Sequence, residues 1–209
     1  MSTHLIISLC VLVMMTATGI SYQVGGEQKW YSKRTILFFK GLTTLLAALL
    51  AVYAYTQTGQ PYALIMAIGI AVCAAADVML ELHFLSGMGI FALGHILYII
   101  SFWMRTPPGL PSLILFLALL LFTCYMRQRA QKKVGFSTLP HFAYSLLISL
   151  MASVALAQPV LTFIGATLFV VSDAIIARRL VFPDKSPWDR ACILLYYSAQ
   201  FLLAASLLV

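Results

Sequence analysis

The sequence predicts an all-α fold, a polytopic membrane helix bundle with about eight transmembrane helices. Hydrophobic residues make up 62% of the chain, charged residues only 9%, and the mean hydropathy is +0.98. A soluble globular domain has about 25% charged residues. The apolar runs are long enough to cross a bilayer, which takes about 20 helical residues each. Because these runs fill most of the 209 residues, residues 1–209 are expected to form a single integral membrane domain.

The first apolar run, LIISLCVLVMMTATGI, follows MSTH with no basic segment before it. A cleaved signal peptide normally has such a segment, so this run is expected to be the first span. The later runs are rich in Leu, Ile, Ala and Phe, and helices are expected because backbone groups in lipid must bond within their own segment. The predicted spans are 4–21, 35–56, 62–81, 88–104, 110–126, 140–157, 159–178 and 190–208.

Prolines and short connections support several of these boundaries. Proline is tolerated in the first turn of a helix, and four prolines lie near predicted span starts: Pro61, Pro111, Pro140 and Pro159. The connection QTGQP joins the second and third spans, and AQP joins the sixth and seventh. Such short connections predict that the helices they join are antiparallel neighbours.

Lysine and arginine residues are concentrated in alternate connections. Of the 13, eleven belong to odd-numbered connections (the first, fifth and seventh), Arg105 lies in an even-numbered one, and Lys40 lies inside a span. Basic loops normally remain cytoplasmic, so both termini are expected outside the cytoplasm, in a cell membrane (the inner membrane in a Gram-negative bacterium). The basic residues behind the net charge of +7 are expected to contact lipid headgroups at the membrane surface. Because these residues lie in short loops between apolar runs, no nucleic-acid partner is expected.

Polar side chains occur in six spans, and counting from the predicted ends puts them in the cytoplasmic half of the membrane. Asp77 and Glu81 are four residues apart and share a helix face; two further pairs, at a spacing of three, do the same. Arg178, with Arg179, lies at the cytoplasmic rim. The polar set within the spans is Lys40, Asp77, Glu81, His95, Tyr98, Tyr144, Asp173, Tyr196, Tyr197 and Gln200.

The charges in this set do not balance. Lys40 is the cation expected inside the bundle, whereas Asp77 and Asp173 are both inside and Glu81 lies at the edge. One ammonium group can balance one carboxylate, and the other carboxyl group should keep its proton because desolvation disfavours the charged form. An ionised carboxyl group beside a protonated one is typical of acid–base chemistry. The pattern therefore predicts a chemical site.

Structural interpretations of the same residues stay open. Lys40 and Asp77 could form an ion pair that closes the bundle, and Glu81 could be solvated at the membrane surface. His95 alone is typical of a satisfied interior histidine, and the tyrosines could join helices. A metal site of His95, His83, Asp77 and Asp173 is conceivable. No two histidines have the spacing that makes zinc motifs specific, so no metal and no cofactor are expected.

Five segments carry a family resemblance. The sequence resembles the lysoplasmalogenase family, YhhN-like multi-pass membrane hydrolases of vinyl ethers. The segments are FFKGLT, AADVML, GMGIFALGHILYIISF, LFVVSDAIIARRLVF and YYSAQFLLA, between about residues 36 and 205. Gly41 follows Lys40 where the family commonly has proline, and Ala76 precedes Asp77 where it usually has glycine.

The resemblance implies hydrolysis of the sn-1 vinyl-ether bond of lysoplasmalogen, a lysophospholipid within the bilayer. The products are a fatty aldehyde and glycerophosphocholine or glycerophosphoethanolamine. The resemblance carries over Lys40, Asp77, His95, Tyr98, Asp173, Tyr197 and Gln200.

Vinyl-ether cleavage begins with protonation of carbon, so it needs an acid and a negative charge to stabilise the cation. We hypothesise that Asp77 donates the proton and Asp173 stabilises the cation, and the reverse assignment stays open. His95 would relay protons or activate water, with Tyr98 orienting it. Lys40 would hold one carboxylate ionised or contact the lipid phosphate, as Arg178 and Arg179 also could.

Two other classes of protein compete with a hydrolase. A proton-coupled transporter of a small or lipid-like solute also uses intramembrane acids and histidine, although such proteins often contain inverted repeats and no repeat is visible here. A scaffold or lipid-binding protein would tolerate replacement of the acids by amides, with loss of stability only.

Overall fold

The computed structural model describes residues 3–131, 139–181 and 188–209, and these form helices with no strand among them. This confirms the predicted all-α fold. Seven of the helices are long and apolar enough to cross a membrane, and α6 is a shorter apolar helix. The helices are α1 (Thr3–Glu27), α2 (Lys33–Thr58), α3 (Pro61–Leu82), α4 (Phe84–Arg105), α5 (Leu110–Gln131), α6 (Leu139–Ala155), α7 (Val160–Val181) and α8 (Trp188–Ala205), followed by a 3₁₀ turn, Ser206–Leu208.

Two helices extend well beyond their predicted ends. The predicted first and fifth spans end at 21 and 126, whereas α1 continues to Glu27 and α5 to Gln131. The extra residues of α5, RQRAQ, are polar but favour helix. Hydropathy predicts where an apolar segment ends, whereas the helices α1 and α5 continue through the more polar residues that follow.

The connection between α2 and α3 shows how local sequence sets a tight antiparallel turn. Gly59 follows α2 with φ of 65°, a left-handed conformation that glycine adopts without strain, and its N–H donates to the Tyr55 carbonyl at 2.8 Å. Pro61 is the first residue of α3. At the start of α2, the Ser32 side chain accepts a hydrogen bond from the Thr35 N–H.

Six helices form a ring around the core. Each helix of the ring packs against the next, in the order α2, α3, α4, α6, α7 and α8, and α8 packs against α2 to close the ring. Helix α1 packs outside the ring on α2 and α8, and α5 packs on α6. Small residues on α2 and α3, including Ala47, Ala51 and Ala63, are fully buried, and small residues let neighbouring helices approach closely.

The ring has two different ends. We call one the cavity end, where α3 ends at Leu82 and α4 begins at Phe84. We call the other the closed end, where α3 begins at Pro61 and α4 ends at Arg105. The described connection between α3 and α4, which is predicted to be cytoplasmic, lies at the cavity end, and its orientation in a membrane stays a prediction.

Candidate active site

A cavity of about 610 Å³ opens at the cavity end of the ring. Its wall includes residues of α2 through α8 and is mostly apolar, with side chains such as Leu80, Met88, Phe91, Phe122 and Ile148. Its volume lies in the range of ligand-binding pockets, about 300–1,000 Å³. The polar groups on the wall include both aspartates of the predicted site, which therefore share one cavity.

Asp77 is almost fully buried, at 2% exposure, and accepts two hydrogen bonds on the same oxygen. The Thr44 hydroxyl on α2 donates to Asp77 Oδ2 at 2.5 Å, and the Tyr196 hydroxyl on α8 donates to it at 2.8 Å. Among the described residues, no donor reaches Asp77 Oδ1. One carboxyl oxygen is thus held by two helices, and Asp77 as a residue lies on the cavity wall.

A chain of hydrogen bonds leads from α4 to Asp77. The Tyr98 hydroxyl donates to Gln200 Oε1 at 2.7 Å, and Gln200 Nε2 donates to the Tyr196 oxygen at 3.2 Å. Tyr196 then donates its own proton to Asp77. Every donor in this chain is oriented toward Asp77, so the chain is complete when Asp77 Oδ2 acts as an acceptor.

Asp173 on α7 has a different environment. It is partly exposed to the cavity and accepts one hydrogen bond, from the Tyr144 hydroxyl on α6 at 2.8 Å. It lies on the wall of the same cavity as Asp77. The structure therefore brings together two acids that are 96 residues apart in sequence, and it surrounds them differently.

Lys40 does not form an ion pair with either aspartate, contrary to the interpretation that it balances one of them. Its Nζ donates to Glu81 Oε1 at 2.7 Å, and the Tyr22 hydroxyl on α1 donates to the same oxygen at 3.2 Å. Glu81 is one turn beyond Asp77 on α3, and its side chain is 42% exposed. The long lysine side chain can reach this exposed partner, which avoids burying an ion pair completely. Glu81 is thus ion-paired and not simply solvated.

His95 lies behind the cavity wall, not on it. It is fully buried and its Nδ1 donates to the Phe91 carbonyl at 2.7 Å, since a carbonyl only accepts. The ring packs edge-to-face against Phe169 at 4.6 Å and Tyr144 at 5.6 Å between centroids. Nε2 makes no hydrogen bond to the described residues. Among the described residues, no hydrogen bond joins His95 to Asp77 or Asp173. Tyr144 links the two sides indirectly, because it contacts the His95 ring and donates to Asp173.

The remaining predicted residues divide between the cavity and its surroundings. The Tyr197 hydroxyl donates to the Lys40 carbonyl at 3.5 Å and joins α8 to α2. The Tyr98 hydroxyl contacts Gln200 and Cys73, so it does not orient His95 by a hydrogen bond. Arg178 is exposed and lines the cavity. The side chain of Arg179 lies outside the described residues.

Sequence reasoning assigned no role in the site to several polar residues that lie on or behind the cavity wall. Thr44 was not among the predicted site residues, yet it makes the shortest hydrogen bond to Asp77. Its position, one turn from Lys40 on the buried face of α2, was the available signal. Arg127 and Arg129 of α5 also line the cavity, and they were counted only as loop charges. Among the described residues, no group of three His, Cys, Asp or Glu is arranged to hold a metal ion.

The fold and the site define a class of protein: a polytopic helical membrane protein whose helix ring encloses an apolar cavity with two carboxyl groups on its wall. A family model described as the YhhN family matches residues 35–207. The chain therefore belongs to the YhhN family, the family of lysoplasmalogenases that its sequence motifs resemble. Comparisons with the curated proteins and with the solved structures found no match.

Proposed function

We propose that this protein hydrolyses the sn-1 vinyl-ether bond of lysoplasmalogens by general-acid catalysis within the membrane. The observation that carries the proposal is the pair of differently surrounded carboxyl groups, Asp77 and Asp173, on the wall of one apolar cavity. Membership of the YhhN family supports the same reaction. The mostly apolar wall suits a long alkenyl chain, and its polar residues suit the glycerol and headgroup.

The hydrogen bonds favour one assignment of the two acids. Two hydroxyl groups donate to Asp77 Oδ2, and hydrogen bonds to a carboxylate favour its ionised form. Asp173 accepts a single hydroxyl and is more exposed to the cavity. We therefore assign Asp173 as the proton donor and Asp77 as the negative charge, which is the reverse of the assignment favoured from sequence.

The proposed reaction begins with proton transfer from Asp173 and ends with release of the aldehyde and the glycerol hydroxyl. The Asp173 carboxyl group transfers its proton to the vinyl carbon that is β to the ether oxygen, and the π electrons form the new C–H bond. The oxocarbenium ion that results is stabilised by the Asp77 carboxylate. Water adds to the carbon bonded to oxygen and returns a proton to Asp173. The hemiacetal hydroxyl proton finally passes to the glycerol oxygen as the C–O bond breaks, releasing aldehyde and alcohol.

The other residues support these two acids. Thr44 and Tyr196 hold Asp77, and Tyr98 and Gln200 extend this support through the ring. Lys40 is bound to Glu81, and its ammonium group contributes positive charge near Asp77 without neutralising it by direct contact. His95 positions Tyr144, which in turn contacts Asp173.

The test is to incubate the purified protein with alkenyl and acyl lysophospholipids side by side in deuterated water. We expect only the alkenyl lipid to be cleaved. The aldehyde should carry a single deuterium on the carbon next to its carbonyl, because that carbon receives the acid's proton. Mass spectrometry after reduction of the aldehyde to the alcohol measures both results.

Two outcomes would contradict the proposal. Cleavage of the acyl lipid with the alkenyl lipid left intact would indicate an esterase. Uptake of an unchanged solute into proteoliposomes under a pH gradient, without aldehyde release, would indicate the transporter class instead.

A further inference from the structure

Three arginines converge on the cavity from the last turns of two helices. Arg127 and Arg129 lie near the end of α5, which ends at Gln131, and Arg178 lies near the end of α7, which ends at Val181. Arg129 and Arg178 are exposed and Arg127 is partly buried, whereas Asp77 is buried. The cavity therefore has a cationic rim and a carboxyl-bearing interior.

Arg127 is held in place on the wall. Its guanidinium group lies over the Phe142 ring, 4.4 Å from the centroid, and Phe142 also lines the cavity. Stacking on an aromatic ring fixes the plane of the guanidinium group and leaves its N–H edge free to donate. The Arg127 Nε is buried and donates to no acceptor among the described residues. A buried N–H without an acceptor is costly, and an anionic ligand would remove that cost.

Lys40 is a poorer candidate for the same task. Its ammonium group already donates to Glu81 at 2.7 Å. The Glu27 carboxylate likewise occupies Arg190, with two hydrogen bonds at 3.0 and 2.6 Å. Arg127 thus differs from these cations, because its described contact is an aromatic ring.

We propose that Arg127, supported by the charges of Arg129 and Arg178, binds the phosphate of a single-chain phospholipid whose tail occupies the apolar interior. The inference rests on the proposed function for the position of the reacting bond, and it adds the subsite that selects phosphate-bearing lipids. Guanidinium groups bind phosphate through paired N–H···O hydrogen bonds. The apolar wall favours a lipid phosphate over free phosphate, because free phosphate would leave that wall unfilled.

The experiment measures binding without turnover, so that it stands apart from the proposed reaction. Isothermal titration calorimetry in detergent micelles would use a 1-alkyl lysophospholipid, which has no vinyl ether to cleave. A 1-alkylglycerol with the same chain serves as the phosphate-free ligand, and inorganic phosphate serves as the competitor. The proteins are the wild type, Arg127→Gln, Arg127→Lys and the control Arg34→Gln, which changes an exposed arginine of α2 outside the cavity wall.

We expect Arg127→Gln to weaken binding of the lysophospholipid by about 10- to 100-fold, the loss typical of a hydrogen bond to a charged group. Arg127→Lys should show a smaller loss because it keeps the charge but not the paired geometry. Binding of the alkylglycerol should not change, and Arg34→Gln should match the wild type. Unchanged alkylglycerol binding also shows that the variants remain folded.

Two results would overturn this inference. One is equal lysophospholipid affinity in Arg127→Gln and the wild type. The other is displacement of the lipid by inorganic phosphate at the lipid's own concentration, which would indicate a site for free anions. Arginine-dependent binding without aldehyde release would leave this inference standing and remove the proposed reaction. Aldehyde release that does not depend on Arg127 would support the proposed reaction and count against a phosphate subsite at Arg127.

Discussion

At the closed end of the ring, Gln158 and Arg105 donate to backbone carbonyls, whereas at the cavity end Thr44, Tyr196 and Gln200 bond to one another and to Asp77 through their side chains. At the closed end, Gln158 Nε2 donates to the carbonyls of Phe102 and Thr106 at 3.0 and 2.8 Å. Arg105 donates to the carbonyls of Ser206 and Val209. The last carbonyls of a helix lack intrahelical partners, and side-chain donors such as Gln158 and Arg105 supply partners where α4 and the 3₁₀ turn end, in addition to the Thr106 N–H that donates to the Phe102 carbonyl.

The cavity end has a different arrangement. Thr44, Tyr196 and Gln200 are linked through side-chain atoms to Asp77, whose carboxyl group faces a space and not a backbone partner. Ionisable groups in a membrane interior are costly and usually functional. We therefore expect the bonding partner of a buried polar group, more than its burial, to distinguish a structural role from a chemical one.

The largest effect is expected for Asp173→Asn. An amide has no acidic proton to transfer, so kcat should fall by about 10²- to 10⁴-fold, the usual contribution of a positioned acid. The amide oxygen can still accept the Tyr144 hydrogen bond, and the melting temperature should change little. Aldehyde release and thermal unfolding in detergent measure the two quantities. A variant that keeps near-normal turnover would exclude Asp173 as the proton donor.

A packing change at the cavity end should have the next largest effect. A Cβ at Gly87 would lie 2.5 Å from the backbone N and Cα of Leu80, which cannot move aside as a flexible side chain could. We expect Gly87→Ala to lower the free energy of unfolding by about 1–3 kcal/mol, the cost of overpacking. Turnover should also fall because Leu80 lines the cavity.

Gly89 provides the matched control on the same helix. A Cβ there meets no atom within 4 Å, so Gly89→Ala should be neutral or stabilise the helix by up to about 1 kcal/mol. Equal thermal stability of the two variants would contradict the close α3–α4 contact at Gly87.

A smaller kinetic effect is expected for Tyr196→Phe. This change removes one of the two hydrogen bonds on Asp77 Oδ2 and leaves Gln200 Nε2 without its acceptor. We expect kcat to fall about tenfold, which corresponds to about 1.4 kcal/mol. Tyr197→Phe is the control, since the Tyr197 hydroxyl donates to a backbone carbonyl at 3.5 Å and makes no described hydrogen bond to Asp77. If both variants lose activity equally, the chain toward Asp77 has no special role.

The smallest effect is expected at the closed end. The Ser101 hydroxyl donates to the Tyr62 carbonyl at 2.8 Å. Ser101→Ala should destabilise the protein by about 0.6 kcal/mol, the average for such bonds in a membrane protein. Both kcat and KM should stay at wild-type values. A change in either constant would show that the two ends of the ring are not functionally separate.

The depth of the polar groups could be predicted only in part. His95 was expected about seven residues into its span, but α4 begins at Phe84, four residues before the predicted start at 88. His95 therefore lies near the middle of α4, and Tyr98 lies beyond it. The error arose because Ser86 and Gly87 separate Phe84 and Leu85 from the apolar run that follows, so the continuous run begins only at Met88.

The sequence by itself determined the helices and the end of the bundle at which the acids lie. Both follow from properties that add along a single segment, namely hydropathy, helix-ending residues and the position of basic loops.

The family match begins at residue 35 and leaves out α1, which packs outside the ring.

Only the tertiary structure decided which groups meet. Lys40 contacts Glu81 and not Asp77, Thr44 joins the site, and His95 lies behind the wall. These contacts depend on how neighbouring helices are rotated and spaced. A hydrogen bond between two helices forms only if its donor and acceptor atoms come within about 3 Å of each other. Spacing along one helix cannot specify that distance.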